Sequence, residues 1–244
     1  MVEKIVIHHI PKTGGSSIQM RLLWNEVKGK MPKGTTLIKY HAVGREWEYS
    51  LLDDPDFSKR DPLHDQFIRH RGKQEGWYAD WPTHKKDKVK IITGHSATIN
   101  DFPDDRHIVI VRNPIWRDAS HYNYDTGLGR TKYPFKEWIQ NTETDYQVRW
   151  IYHKILLHTE IRSPASMLDS IKKAKLKFYR SEGVDKDFWN HFCAANKLTT
   201  HGSVKDNVTP REWRVMDQDY ANKVLVKSHK AMNVYDWALW NSLV

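Results

Sequence analysis

Short runs of β-branched residues alternate along the chain with segments whose apolar residues recur at helical spacing. The runs predict short buried strands, which lie at Lys4–Ile10, Thr35–Tyr40, Val89–Thr93, His107–Val111 and Lys175–Tyr179. Helical spacing and capping signals predict helices at Ser16–Val27, from Asn113-Pro114 to about Tyr124, at Phe135–Ile139, Asp145–His158, Ser163–Lys173 and Asp185–Asn196, from a capping box at Thr209–Glu212, and at Tyr220–Trp240. Strands that alternate with helices predict an α/β fold with one parallel sheet and helices on both faces.

The region between the second and third predicted strands breaks this alternation. Residues from about Val43 to Lys88 are polar, rich in Asp, His, Arg and Trp, and only weakly periodic, which indicates a partly irregular insertion. The length of 244 residues fits one domain, so we expect residues 1–244 to form a single unit that includes the insertion.

Composition excludes several classes of protein. Hydrophobic residues make up 39% of the chain, the mean hydropathy is −0.74, and no apolar run approaches the roughly 20 residues of a membrane span. Met1-Val-Glu-Lys leads straight into a strand, so no signal peptide is expected. Cys193 is the single cysteine, which excludes an intrachain disulfide and a cysteine-rich zinc site and fits a reducing cytoplasm.

The formal net charge of +9 favours anionic partners such as nucleotides or acidic glycans. The charge is dispersed along the chain and no recognition module for nucleic acid is visible, so we do not expect nucleic-acid binding.

A glycine-containing loop between the first strand and first helix predicts an anion site. In Pro11-Lys-Thr-Gly-Gly-Ser-Ser17 the glycines allow close approach, and N–H groups at the helix start point outward. Lys12 adds positive charge, and Thr13, Ser16 and Ser17 add hydroxyl groups. The lysine precedes the glycines, whereas a Walker A loop has it after them. A tight turn with an N-capping serine is the structural alternative.

Two further elements lie at predicted strand ends. Arg112 ends a strand, and Ser120 follows about two helical turns later, so both could hold phosphate oxygens. A structural salt bridge for Arg112 and simple packing of Ser120 are equally compatible with the sequence. His95 follows Gly94 just after another strand, where an imidazole could accept a hydroxyl proton. Because the chain has 14 histidines, the position of His95 carries this inference.

Together the three elements resemble the PAPS-dependent sulfotransferases, nearest to the carbohydrate group that contains the heparan sulfate 2-O- and 6-O-sulfotransferases. The loop, with His9 before it, looks like their 5′-phosphosulfate loop. Arg112-Asn-Pro-x-x-Arg-x-x-Ser120-x-Tyr122 looks like their 3′-phosphate motif, and Gly94-His95 matches the position of their catalytic base. Tyr146-Gln-Val-Arg149 and Phe178–Glu182 resemble two further segments of that group.

The resemblance implies a P-loop-like sulfotransferase fold and transfer of a sulfuryl group from 3′-phosphoadenosine 5′-phosphosulfate (PAPS) to a hydroxyl, with PAP as product and no required metal. It implies a carbohydrate acceptor, with the insertion shaping the acceptor site. The implied catalytic residues are Lys12 and His95. The implied donor-binding residues are Pro11, Lys12, Thr13, Gly14, Gly15, Ser16, Ser17, Arg112 and Ser120, and candidate acceptor contacts are Arg149, Trp47 and Arg69.

Two other functions stay open at this point. A P-loop-type small-molecule kinase would need a lysine after the glycines and an acidic magnesium ligand at a strand end. A non-enzymatic, basic glycan-binding protein would not need paired phosphate motifs. The membrane anchor and disulfides of Golgi sulfotransferases are absent from the sequence, so we expect a microbial or viral cytoplasmic enzyme, and a Golgi setting only for a trimmed chain.

Overall fold

A computed structural model describes residues 3–42, 45–53, 81–181, 194 and 223–243, with a six-stranded sheet at its centre. The strands are β1 (Ile5–His8), β2 (Thr36–Ala42), β3 (Arg45–Tyr49), β4 (Ile91–Gly94), β5 (Arg106–Val111) and β6 (Leu176–Arg180). Their order in the sheet is β3-β2-β4-β1-β5-β6. All neighbours pair in parallel except β3, which pairs antiparallel with β2 at the edge.

The helices are α1 (Gly15–Val27), α2 (Thr83–Lys86), α3 (Pro114–Gly127), α4 (Phe135–Asn141), α5 (Tyr146–Trp150), α6 (Pro164–Lys173), α7 (Lys223–Met232) and α8 (Val234–Asn241). A 3₁₀ turn at Leu51–Asp53 follows β3, and α5 continues into a π-helical turn at Ile151–Ile155. In the described part of the chain, none of these helices is both long and apolar enough to cross a bilayer.

Alternation along the central strands gives the sheet two buried faces. Ile5 and Ile7 of β1 point to the face that packs on α1 through Ile18 and Leu22. Alternate residues of the neighbouring strand β5, such as Val109, point to the opposite face, where α3, α4, α5, α6 and α8 form the largest apolar cluster. Successive strand side chains alternate between faces. The predicted fold class, a parallel sheet flanked by helices on both faces, is therefore confirmed.

The five predicted strands are all present within a few residues of their predicted bounds. The strand β3 was not predicted, because Arg45–Tyr49 carries three charged residues in five and lies inside the segment interpreted as an irregular insertion. That insertion is described only at 45–53 and from 81 onward, so its role stays a prediction. The predicted helices at Asp185–Asn196 and Thr209–Glu212 lie outside the described residues, apart from position 194.

In the segment predicted as one helix over Tyr220–Trp240, the described residues from 223 onward form instead two helices that meet at Asn233. The break lets two helix starts cap each other. The Asp145 carboxylate accepts the N–H groups of Tyr235 and Asp236, at 2.8 and 2.9 Å, at the start of α8. In return, Asp236 accepts the N–H groups of Gln147 and Val148, at 3.0 and 2.8 Å, at the start of α5. This pair of reciprocal caps satisfies helix N–H groups that have no partner within their own helices.

Both cap carboxylates are buried, and burial raises the pKa of Asp236 to about 7. Asn233 adds a fifth hydrogen bond across the junction by accepting the Asp145 N–H at 2.9 Å. The C-terminal helix pair is thus joined to α5 through polar contacts as well as through apolar packing.

Glu26 supports the turn before β2 and makes stability depend on pH. Its carboxylate accepts the N–H groups of Gly34 and Thr36 at 2.8 and 2.6 Å while only 1% exposed, and burial raises its pKa from 4.5 to about 7. The folded state therefore holds this proton more tightly than the unfolded chain. Its contribution is full below pH 4.5 and is lost as pH rises through 7, an effect of about 3 kcal/mol.

We expect the free energy of unfolding of Glu26→Gln to fall less than that of the wild type between pH 5 and pH 8. Urea denaturation at both pH values measures this, with Glu3→Gln, at an exposed carboxylate, as the control. The same pH slope in wild type and Glu26→Gln would contradict the assignment.

Candidate active site

Three sequence-predicted elements meet at the carboxyl edge of the sheet. The strands β4, β1 and β5 are direct neighbours, and their register places His8 between Gly94 and Val109. The loop Pro11–Ser17 follows β1, His95 follows β4, and Arg112 follows β5. Ligands of parallel α/β sheets bind at this edge. The structure therefore brings together the loop, the candidate base and the arginine.

The Pro11–Ser17 loop has the backbone of an anion cradle. Gly14 is exposed and precedes α1 with a φ of +92°, a conformation that glycine adopts without strain. The N–H groups of the first residues of α1, beginning with Gly15, have no partner within the helix and lie at its positive end. Ser16 and Ser17 are half-buried in the same turn. These groups suit an anion at the helix start.

Thr13 shapes this loop from the inside. It is fully buried, and its hydroxyl and N–H both donate to the Ile10 carbonyl, at 2.9 and 3.3 Å. Its hydroxyl hydrogen is therefore engaged within the loop, which leaves Thr13 a shaping role in this structure. Ser181, just after β6, lies beside Gly14, since a methyl group built there would come within 4.0 Å of its Cβ.

Lys12 and Arg112 place two positive charges beside the loop. The Arg112 guanidinium donates through Nη1 to the Lys12 carbonyl at 3.0 Å, which connects the end of β5 to the loop. The Lys12 backbone has a φ of +70°, and its ammonium lies 3.6 Å from the centre of the Tyr124 ring on α3. A cation over an aromatic ring is held by the negative ring face. Tyr124 thus defines where the lysine rests in this structure.

His95 is half-buried, and its tautomer follows from its partner. Its Nδ1 lies 2.5 Å from the His9 carbonyl oxygen, so Nδ1–H is the donor and the lone pair is on Nε2. The two imidazole rings stack with centroids 4.0 Å apart, and the Trp150 ring meets His95 edge-on at 5.9 Å. A neutral imidazole held in this way can accept a proton at Nε2.

His9 serves as a neutral support for His95. It is 5% exposed, and burial, followed by electrostatic interactions with His95 and Lys12, holds its pKa well below the usual range. Gly15 makes room for it, because a Cβ at that position would lie 2.1 Å from the His9 ring. The second glycine of the loop is therefore needed for packing against the residue that holds the candidate base.

A second histidine pair supports the segment that follows His95. Burial, together with the His107 charge, lowers the pKa of His8 to about 3, so His8 is neutral. Its Nδ1–H donates to the Ala97 carbonyl at 3.0 Å, and its Nε2 accepts from Nδ1 of His107 at 2.9 Å. The other His107 nitrogen lies 2.8 Å from the Phe102 carbonyl oxygen. Both ends of segment 97–102 are thereby attached to the sheet.

Gly94 allows β4 to pass close to β2 directly before His95. Its φ is +152°, and a Cβ there would lie 1.5 Å from the Lys39 carbonyl oxygen, which is backbone and cannot rotate away. We expect Gly94→Ala to lose about 4 kcal/mol or more of stability or to fail to fold, as steric conflicts with buried backbone do.

Gly129→Ala is the matched control for Gly94→Ala. Gly129 also has a positive φ, of +67°, but open space around it, so its substitution should cost only about 1–2 kcal/mol of backbone strain. Thermal unfolding of both variants measures the difference, and equal losses would contradict the close approach at Gly94.

Arg117, the second arginine of the Arg112–Tyr122 motif, is buried and paired inside the protein. It is 1% exposed, pairs with Asp118 at 2.5 Å and stacks on the Tyr146 ring at 3.4 Å. Asp118 also accepts from Nε2–H of His229 at 2.9 Å, and the Trp237 indole N–H donates to Nδ1 of His229 at 3.1 Å. This network fastens α3, which carries Ser120 and Tyr124, to both C-terminal helices.

The remaining predicted site residues are placed less closely. Ser120 is half-buried on α3. Arg149 donates through Nε to the Thr144 carbonyl at 3.0 Å and lies 3.9 Å from Glu143, so it contacts the turn before its own helix. Trp47 lies on β3 opposite Tyr40, and Arg69 lies outside the described residues. Their acceptor roles stay predictions.

Sequence reasoning missed three residues that shape the site: Tyr124, Gln147 and Trp150. Gln147 lies within Tyr146–Arg149, one of the segments that resemble the sulfotransferase group. Trp150 directly follows Arg149, which was predicted as an acceptor contact. Helical spacing could have indicated both residues, because Gln147 and Trp150 are three positions apart and therefore share one face of α5. Among the described residues, no group of three or more His, Cys, Asp or Glu side chains is arranged to hold a metal ion.

No protein-family model matches the sequence, and no curated protein matches it. Among solved structures, a sulfotransferase from Alicyclobacillus acidocaldarius aligns over 99% of both chains, with 16% identity and a TM-score of 0.42. A mouse sulfotransferase in complex with PAP aligns over 98% of this chain and 78% of its own, with 15% identity and a TM-score of 0.37. A retinol dehydratase in complex with androsterone and the inactive cofactor PAP aligns over 98% and 70%, with 12% identity and a TM-score of 0.39. Such low identities and TM-scores assign neither an activity nor a substrate to this chain.

Proposed function

We propose that this chain is a sulfotransferase that moves a sulfuryl group from PAPS to a hydroxyl of an acceptor. The observation that carries the proposal is the meeting of three motifs on neighbouring strands, with Arg112 bonded to the loop backbone and His95 bonded to the carbonyl of His9, two positions before the loop. The arrangement puts a cationic, N–H-rich cradle beside an imidazole whose Nε2 can accept a proton.

The residues present fit the two phosphate groups of this donor. The cradle of Gly14–Ser17 and the helix start would hold the 5′-phosphosulfate, because the N–H groups and helix dipole favour negative charge. Arg112 and Ser120 would hold the 3′-phosphate, through a charged fork and a hydroxyl. Lys12, which precedes the glycines, would serve the bridging oxygen of a phosphosulfate rather than an ATP γ-phosphate.

In the proposed transfer, His95 takes the acceptor's hydroxyl proton at Nε2 as that oxygen bonds to sulfur. The bond between sulfur and the bridging phosphate oxygen breaks, and the electron pair leaves on the 5′-phosphate of PAP. Lys12 stabilises the charge that develops there. Positioning and charge stabilisation are the main contributions to in-line transfers of this kind.

The acceptor we propose is a carbohydrate of the kind that the heparan sulfate 2-O- and 6-O-sulfotransferase group modifies. Trp150 supports this choice, because it is half-buried, contacts the His95 ring and stacks on Tyr146 with centroids 5.7 Å apart. Flat aromatic surfaces suit the apolar faces of sugar rings. Arg149, Trp47 and Arg69 are proposed as further acceptor contacts.

Thermal shifts with PAP, ATP–Mg²⁺ and heparin test the donor assignment. Stabilisation by PAP is expected, whereas stabilisation only by ATP–Mg²⁺ would indicate a kinase, and only by heparin a glycan-binding protein.

Calorimetry on Arg112→Ala should show PAP affinity lowered about 10–100-fold, with Arg162→Ala, at an exposed surface arginine, unchanged. An acceptor screen with labelled PAPS then identifies the sulfated oxygen.

A further inference from the structure

We infer that Gln147 is a positioning residue for the donor: its side-chain amide fixes the backbone of Arg112 and so sets where the guanidinium lies. This inference rests on the proposed function. Gln147 touches none of the reacting groups, and the effect we assign to it passes through Arg112.

The amide of Gln147 makes a two-point bond to the Arg112 backbone. The Arg112 N–H donates to Oε1 at 2.9 Å, and the Nε2–H of Gln147 donates to the Arg112 carbonyl at 2.9 Å. Strand pairing on β5 ends one residue earlier, where Val111 pairs with Arg180. The side-chain amide thus takes over the donor and acceptor of the first residue beyond the ladder, which a neighbouring strand no longer satisfies.

Gln147 is itself held firmly. It is 1% exposed, and its own N–H donates to the Asp236 carboxylate in the reciprocal caps. The position of the Arg112 backbone therefore depends on the junction between α5 and α8. Because Arg112 also donates to the Lys12 carbonyl, a shift of its backbone would disturb the Pro11–Ser17 loop as well.

One turn of α5 consequently contacts both halves of the site. Gln147 holds the arginine assigned to the donor, and Trp150, three positions later on the same face, meets the ring of His95. The geometry assigns α5 as the element that keeps the donor site and the base in register.

The test compares Gln147→Leu and Gln147→Glu with wild type by PAP calorimetry at pH 8 and pH 5.5, each expressed as a ratio to wild type at the same pH. Leucine removes both bonds without adding charge, so PAP affinity should fall about tenfold at both pH values. The carboxyl introduced by Gln147→Glu opposes the Arg112 carbonyl when ionised. When protonated it can donate to that carbonyl and still accept the Arg112 N–H, so the ratio should return toward one at pH 5.5.

Gln140→Leu, at an exposed glutamine on α4, is the control and should bind PAP as wild type does. A folded Gln147→Leu protein with wild-type PAP affinity would overturn the inference alone. If that variant does not fold, a Gln147→Glu ratio that stays constant between the two pH values would overturn it. Absence of PAP binding by the wild type would overturn the proposed function together with this inference.

Discussion

His95→Ala should lower the rate of sulfuryl transfer by about 10²–10⁴-fold, the usual loss on removing a general base. The physical reason is the fixed tautomer: Nδ1–H is held by the His9 carbonyl, so Nε2 carries the lone pair toward which the acceptor proton would move. Steady-state assays with labelled PAPS measure the effect, and PAP affinity should change little because the base contacts the acceptor.

The variant His95→Asn distinguishes the proton-accepting role of His95 from its hydrogen bond to the His9 carbonyl. An asparagine amide can still donate to the His9 carbonyl in place of Nδ1–H but offers no basic nitrogen, so this variant should be as inactive as His95→Ala while keeping more stability. His84→Ala, at an exposed histidine on α2, controls for loss of an imidazole. Near-normal turnover in His95→Asn would show that another group accepts the proton.

Lys12→Met should lower kcat by about 10²–10³-fold, more than it lowers PAP affinity. Methionine keeps most of the side-chain length and removes the charge that would stabilise the leaving phosphate oxygen. Because that charge develops fully only as the bond to sulfur breaks, the rate should suffer more than ground-state binding. Single-turnover kinetics and PAP calorimetry on the same preparation measure the two effects.

Lys85→Met is a matched control for Lys12→Met. Lys85 lies 3.6 Å from the centre of the Trp81 ring, the same distance that separates Lys12 from Tyr124. The Lys85→Met variant therefore loses an equivalent cation–π contact on α2, a helix away from the carboxyl edge of the sheet. Its turnover should stay at the wild-type level. Equal losses in both variants would assign the Lys12 effect to packing on the aromatic ring.

Local signals were sufficient to predict the elements that carry the site. The β-branched runs and the Asn113-Pro114 helix start depend on neighbouring residues, so the five parallel strands and α3 were predicted correctly. Residues at the ends of parallel strands meet at one edge, so grouping the loop with His95 and Arg112 needed no knowledge of side-chain contacts.

Contacts between distant residues could not be predicted in this way. The break at Asn233 follows from Asp145, 88 positions earlier, and hydrophobic spacing alone continues the helix through it. For the same reason, nothing local distinguished Gln147 as the partner of Arg112, or indicated that Arg117 belongs to a buried ion pair.

The reciprocal caps also bear on the order of events during synthesis. A ribosome adding about 5–20 residues per second takes roughly 4–18 s to make the 88 positions between Asp145 and Asn233. Five of the six strands of the described sheet are made before that interval and β6 within its first half, while the start of α5 still lacks its Asp236 partner. A nascent chain should therefore have all six strands of the described sheet before Asp236 can cap α5 and before Gln147, held by that cap, can fix the Arg112 backbone.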